Sequence, residues 1–205
     1  MQTEKVTEYI VNWLKDYATK AGVKGYVIGV SGGVDSGVVS TLCAMTGLKV
    51  LALEMPIRQQ KDQASRALEH IDFLKNKFPN VEGFTVDLNE PFEALYKTFD
   101  VKDDEFPAEK LAFANTRSRL RMLTLYYYGQ INGLLVCGTG NKVEDFGIGF
   151  YTKYGDGGVD VSPIADLYKT EVYALARALD LPESIKNAIP TDGLWDVDRT
   201  DEQQI

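Results

Sequence analysis

Apolar positions along this chain fall into runs of two alternating kinds. Val6, Ile10, Trp13, Leu14 and Tyr17 recur at helical spacing, so the chain opens on an amphipathic helix whose end Gly22 and Gly25 bracket. GYVIGV (25–30) is a short β-branched run and reads as a buried strand. SGGVDS (31–36) follows, then a helical segment closing near Gly47. KVLALEMP (49–56) is a second strand, and residues 61–78 form a helix with Ala64, Leu68, Ile71 and Leu74 on one side. GFTVDL (83–88) is a third strand, a helix runs from about Pro107 to Tyr128, and NGLLVCGT (132–139) is a fourth strand. The stretch 140–160 is glycine-rich with no clear period, and LYKTEVYALARALDL (167–181) is a closing helix.

Strands that are apolar throughout, and that alternate with helices, belong to a parallel sheet covered on both faces. The expected fold class is therefore α/β, a doubly wound parallel sheet, and 205 residues without an internal repeat or low-complexity linker fit one domain. In such folds ligands bind outside the carboxyl ends of the strands. Two glycine-bearing motifs, 31–36 and 138–144, directly follow strands and should face one crevice.

Composition narrows the chemistry. A net charge of −8 argues weakly against a broad nucleic-acid footprint, which would need a basic face, yet a nest of backbone N–H groups needs no net positive charge to hold a phosphate. No apolar stretch is long enough to cross a bilayer, and the acidic N-terminus is no secretory signal. Cys43 and Cys137 lie in apolar segments without a CxxC partner, which argues against a disulfide scaffold or zinc site and fits a reducing cytoplasm. The single histidine, His70, stands among Glu69, Asp72 and Lys75 and reads as a solvated helix residue. Triad or histidine–metal chemistry has little to work with.

SGGVDS carries the sharpest signal. Gly32 and Gly33 permit close backbone approach, their N–H groups and the following helix start form an anion cradle, and Ser31 and Ser36 add hydroxyls. No lysine follows the glycines, so this is not a Walker A loop. Asp35 sits inside the cradle, where a carboxylate suits a Mg²⁺ ion shared with phosphates. A plain strand–helix turn capped by Asp35 or Ser36 would use the same residues. Glu144, just past the fourth strand, would give a second carboxylate near the first. Gly155, Gly157 and Gly158 imply a sharply turned loop bearing Lys153, Asp156 and Asp160, and Lys169 starts a helix, where a cation opposes the dipole unless an anion is near. On the helix after Pro107, Ala112, Thr116, Leu120, Leu123 and Tyr127 share a face, with Arg119 at its edge and Arg117 and Arg121 pointing away to solvent.

SGGVDS resembles the pyrophosphate loop of the N-type ATP pyrophosphatases, a superfamily of adenine nucleotide alpha hydrolase-like fold that includes NAD, GMP, asparagine and tRNA lysidine synthetases. With NTRSRLRM (115–122), CGTGNKVE (137–144), TKYGDGGVD (152–160), SPIADLYKTEV (162–172) and PTDGLW (190–195), nearly the whole chain is similar to the ammonia-dependent NAD synthetases, and TKYGDGG is the most specific of these strings. The resemblance implies a ligase that adenylates the nicotinate carboxylate of deamido-NAD with ATP, releases pyrophosphate, and lets ammonia displace AMP. It places Val30, Ser31, Gly32, Gly33, Val34, Asp35, Ser36, Gly37, Thr139, Lys169 and Thr191 on ATP, Asp35 and Glu144 on Mg²⁺, and Arg119, Lys153 and Asp160 on deamido-NAD. The same resemblance gives Asp35 and Lys169 the catalytic roles.

A homodimer with the dinucleotide near its interface is implied too, and Tyr126, Tyr127 and Tyr128 could supply aromatic contact there. The family continues beyond the point at which this chain ends, Ile205, with a basic pair that also meets the dinucleotide; the loop at 145–153 is about one residue longer than in the family's usual form. A GMP synthetase ATPase subunit, a tRNA-modifying enzyme and a non-catalytic nucleotide-binding module of the same fold are the alternatives. TKYGDGG disfavours the first, the acidic balance the second, and the Asp35–Glu144 pair the third.

Overall fold

The computed structural model describes residues 1–59, 61–99 and 107–188. Four parallel strands form one sheet in the order β3-β2-β1-β4: β1 (Gly25–Gly29), β2 (Lys49–Glu54), β3 (Val81–Thr85) and β4 (Leu134–Val136). Registers run Tyr26 opposite Val50 and Leu135, and Val50 opposite Val81. The pleat sends alternate residues to opposite faces, so Tyr26, Ile28, Val50 and Ala52 enter one core while Val27, Leu51 and Leu53 enter the other. The first core is closed by α1 (Thr3–Ala21), α2 (Val34–Met45), α3 (Lys61–Lys77), α6 (Lys169–Ala178) and the short α7 (Glu183–Lys186). The second is closed by α4 (Asn89–Thr98) and α5 (Pro107–Asn132). Helices on both faces of a parallel sheet bear out the doubly wound α/β expectation.

Several helix faces differ from the sequence expectation. In α1 the buried positions are Thr7, Ile10, Leu14 and Ala18, while Trp13 and Tyr17 lie at the surface in mutual ring contact. In α3 Ala67, His70, Ile71 and Leu74 face inward and Leu68 is exposed. His70, expected in solvent, is fully buried, with Nε2 2.9 Å from Oγ of Ser40. On α5 the assignments of the arginines reverse: Arg117 is buried over the Phe92 ring, Arg121 is half-buried with Nε donating to the Met55 carbonyl, and Arg119 is exposed. Leu123 and Tyr127, placed on an apolar face, belong to the exposed side.

The thiols of Cys43 and Cys137 are free, buried and 3.5 Å apart, joining α2 to the end of β4; burial, reinforced by Cys43, pushes the Cys137 thiol up.

Candidate active site

β1 is followed by the loop 31–33, which turns into α2, and β4 by residues 137–141. With sheet order β3-β2-β1-β4, the chain builds outward from β1 through β2 to β3 and then returns to add β4 on the other side of β1, which makes the gap between β1 and β4 the switch point. A crevice of about 260 Å³ opens there, bounded by Val30–Ser31, Gly33–Ser36, Gly138–Gly140 and Lys169.

The loop is tied by its own hydroxyls. Ser36 Oγ accepts from the Ser31 amide (3.2 Å), donates to the Gly33 carbonyl (3.0 Å) and lies 3.1 Å from Ser31 Oγ. Gly32 takes φ 84°, a left-handed turn that a side chain resists. α2 then starts at Gly33 with no side-chain cap, so its first-turn N–H groups stay open to an anion at the positive end of the helix.

Across the crevice, residues Lys142–Ile148 coil in a π-helical segment capped by Asn141, whose Oδ1 accepts from the amides of Val143 (3.0 Å) and Glu144 (3.2 Å). The cap aims the start of this segment at α2: Asn141 Nδ2 donates to Oδ1 of Asp35 (3.3 Å). Lys169, the first residue of α6, reaches both carboxylates, with Nζ 2.6 Å from Asp35 Oδ2 and 2.9 Å from Glu144 Oε1. This is the anion that a lysine at a helix start calls for. Burial works against the Lys169 charge, and Asp35 and Glu144 outweigh it, so its pKa is raised. Asp145 packs so close to Gly140 that a Cβ there would collide with its carboxylate. Burial, then the charges of Asp156, Glu144 and Asp35, raise the Asp145 pKa to about 6.

Two sequence strings prove to be partners. Asp156 Oδ1 accepts from Ser118 Oγ (2.5 Å) and from the Thr152 amide (3.0 Å), Ser118 Oγ accepts from the Asp156 amide (2.8 Å), and Thr152 Oγ1 lies 2.6 Å from Asn115 Oδ1. Ser118 and Asn115 of NTRSRLRM therefore pin the TKYGDGG loop to α5, and Gly155 must lack a side chain because a Cβ would meet Ser118 Oγ.

Of the residues expected on ATP, Val30, Ser31, Gly33, Val34, Asp35, Ser36, Thr139 and Lys169 line the crevice. Gly32 forms the turn beneath it, and Gly37 packs away from it, where a Cβ would come within 2.8 Å of Ile185 Cγ2. Thr191 lies outside the described residues. Asp35 and Glu144, the expected metal pair, converge on one point, now held by the Lys169 ammonium.

The three residues expected on deamido-NAD are not among those lining the crevice. Arg119 and Lys153 are exposed together, Arg119 Nε donating to the Lys153 carbonyl (3.1 Å). Asp160 accepts from the Val136 amide (2.7 Å) and the Tyr126 hydroxyl (3.0 Å); burial and Asp160 together push the Tyr126 phenol up to about 12. Asn141 and Asp145 were not singled out. Asn141 was findable as an Asn just before a turn, a capping signal, whereas nothing local marks Asp145.

Residues 6–205 match the family model described as NAD synthase. The chain is 42% identical to the NH3-dependent NAD+ synthetase of Carboxydothermus hydrogenoformans, over 98% of this chain and 80% of that one. It is 38% identical to the enzyme of the same name from Finegoldia magna, over 100% and 80%. Among solved structures, the NMN synthetase of Francisella tularensis superposes with a TM-score of 0.89 at 35% identity, covering 100% of this chain and 81% of that one. The NH3-dependent NAD synthetase of Campylobacter jejuni, in complex with nitrate, gives 0.80 at 33% identity over 91% and 77%.

Proposed function

The chain belongs to the NAD synthase family, and on that footing we propose how its crevice carries out the family's reaction. It is an ATP-dependent ligase that amidates the nicotinate carboxylate of deamido-NAD with ammonia, yielding NAD, AMP and pyrophosphate. A carboxylate oxygen attacks the α-phosphorus of ATP and pyrophosphate leaves. Ammonia then attacks the acyl carbon of the adenylate and AMP leaves. Both steps need positioning and charge neutralisation more than a side-chain nucleophile.

In our reading the outer phosphates lie on the open amides at the start of α2, between Ser31 and Ser36. The observation that carries this is Lys169 bridging Asp35 and Glu144 directly over that loop. The same two carboxylates fit Mg²⁺. Among the described residues no cluster of three or more metal-binding side chains occurs, and Mg²⁺ takes one or two carboxylates and completes its shell with phosphate oxygens and water. Asp35 and Glu144 would hold the ion, which when bound neutralises charge on the departing pyrophosphate. Lys169, beside both carboxylates, would supply a cation to a phosphate oxygen.

Cavities that bury a single drug-sized ligand run to about 300–1,000 Å³. A crevice of about 260 Å³ therefore has no room for ATP and a dinucleotide side by side. This favours the dinucleotide extending over the rim, towards Arg119 and Lys153. Arg119 heads a stripe on α5 at four-residue spacing, followed by Leu123, Tyr127 and Ile131, which are 62, 61 and 60% exposed. Three large apolar side chains in line suit a self-complementary contact. We assign the stripe to a homodimer interface, with the dinucleotide beside it. Tyr127 is the residue of the Tyr126–Tyr128 run that offers contact area there, since Tyr126 is bonded to Asp160 and Tyr128 packs on Phe84.

Among the described residues no helix is long and apolar enough to cross a membrane. The free thiols fit a reducing compartment, and the cytoplasm is the proposed location.

The Francisella tularensis relative, an NMN synthetase, favours a second reading in which the amidated acid is the mononucleotide. Pyrophosphate release measured with deamido-NAD and with nicotinate mononucleotide decides between them: kcat/KM higher for deamido-NAD supports the first reading, and the reverse order overturns it.

A further inference from the structure

Behind the phosphate loop, on the side away from the crevice, lies the one histidine of the chain. His70 is fully buried between α3 and α2, stacked on Phe73 at 5.7 Å, with Nε2 2.9 Å from Ser40 Oγ. Ser40 Oγ is also 2.7 Å from the Ser36 carbonyl and 3.1 Å from that of Gly37. A hydroxyl has one hydrogen, and carbonyls only accept. The Ser40 hydrogen therefore goes to the carbonyls, the nearer being Ser36, and the proton between Ser40 and the ring belongs to Nε2. His70 Nδ1 is buried without a hydrogen-bond partner, which agrees with this assignment. As a bare acceptor it loses one bond, whereas the other tautomer would bury an N–H with nothing to receive it and would draw the Ser40 hydrogen off the backbone.

With the proton on Nε2, the contact is directional. His70 donates to Ser40, Ser40 donates to Ser36, and the Ser36 side chain gathers the Ser31 amide and the Gly33 carbonyl into the loop. Any tilt of the first turn of α2 moves Ser36 and the open amides together, because one hydroxyl ties them. We propose that His70 is a positioning residue for the phosphate loop, acting through Ser40 to set the height of the first turn of α2 and so the fit of the loop to the outer phosphates of ATP. This rests on the reading of residues 31–36 as the ATP phosphate site.

The test compares H70Q, whose amide nitrogen can still donate to Ser40, with H70L, which fills the space without a donor, and with S40A, which deletes the relay while leaving the ring. Steady-state pyrophosphate release gives KM for ATP and for deamido-NAD separately, and thermal melts report packing. H70L and S40A are expected to raise KM for ATP about tenfold, the scale of one lost hydrogen bond. The H70L/S40A double variant is expected to go no further than either single one, because both act through one contact. H70Q is expected to stay near the parent, and KM for deamido-NAD to hold in all four. S40A keeps the test open if H70L does not fold. Lowered melting temperatures with KM for ATP unchanged would make His70 a packing residue and overturn the proposal, as would additive effects in the double variant. An active parent with that outcome sinks this inference alone; a parent that releases no pyrophosphate sinks the phosphate-site reading and this inference with it.

Discussion

Nζ of Lys169 lies 2.6 Å from Oδ2 of Asp35, although 134 positions separate the two residues. The contact joins the start of α6 to the first turn of α2, with Glu144 completing the bridge at 2.9 Å. A cation at a helix start is unfavourable, and two carboxylates within reach reverse that. In the proposed site the same two carboxylates would hold Mg²⁺, with Lys169 as the neighbouring cation.

Replacing Lys169 by methionine is expected to lower kcat about 10²–10³-fold, the usual cost of removing one preorganised charge from a developing oxyanion. Steady-state pyrophosphate release measures it. Activity near the parent's would remove Lys169 from the reaction.

Asp35→Asn is expected to abolish turnover, and Glu144→Gln to shift the Mg²⁺ activation curve to higher concentration, because in the proposed site each would supply one of two protein ligands to the ion. A Mg²⁺ titration of pyrophosphate release reads both. A curve for Glu144→Gln that overlays the parent's would take Glu144 out of the metal site.

Leu123→Asp combined with Tyr127→Asp places charge in the middle of the exposed stripe on α5. Sedimentation should then show a monomer where the parent is a dimer, and KM for deamido-NAD should rise more than KM for ATP. A monomeric parent would contradict the interface.

His70 titrates in the interior. Burial lowers its pKa from 6.5 to about 4, opposed by the neighbouring Gly37 backbone. None of the charged groups on the elements packed against α3 contributes, namely Asp35, Lys49, Glu54, Glu82, Glu183 and Lys186, nor do Glu69 and Asp72 on α3 itself. The ring is charged in the unfolded chain below pH 6.5 and in the folded chain only below about 4, so the unfolded state binds more protons between them. Its stabilising contribution is complete above pH 6.5 and fades as pH falls to about 4, a loss on the order of 3 kcal/mol. Urea unfolding across that range should show a slope that His70→Gln flattens. An unchanged slope would place the titration elsewhere.

β1, β2, the loop 31–36 and the start of α2 were legible because buried parallel strands are apolar throughout and the glycine turn is local, whereas β3, an edge strand in which only Val81 is buried, runs Val81–Thr85 and not 83–88. Helix faces were less so. Trp13, Tyr17, Leu123 and Tyr127 are as apolar as core residues, and which side of a helix meets the sheet depends on packing that periodicity does not contain. Arg117 read as solvated because it points away from the apolar face drawn on its helix, and His70 because its sequence neighbours are charged, while Phe92 and Ser40, the residues that receive them, come from other elements. The Asn89–Thr98 helix, with Pro91 near its start, was not among the elements read from the sequence, and a π-helical segment has no period that an α or β template detects. In the site, Asp35 and Glu144 were readable from their motifs, but Lys169 bridging them follows from α6 packing on α2.

Incubating the protein with ATP labelled on its α-phosphate, Mg²⁺, ammonium and deamido-NAD tests the central reading most directly. The expected result is labelled AMP, pyrophosphate and NAD in equal amounts, with none formed when deamido-NAD is left out. Labelled ADP with inorganic phosphate, or AMP formed equally without the dinucleotide, would contradict it.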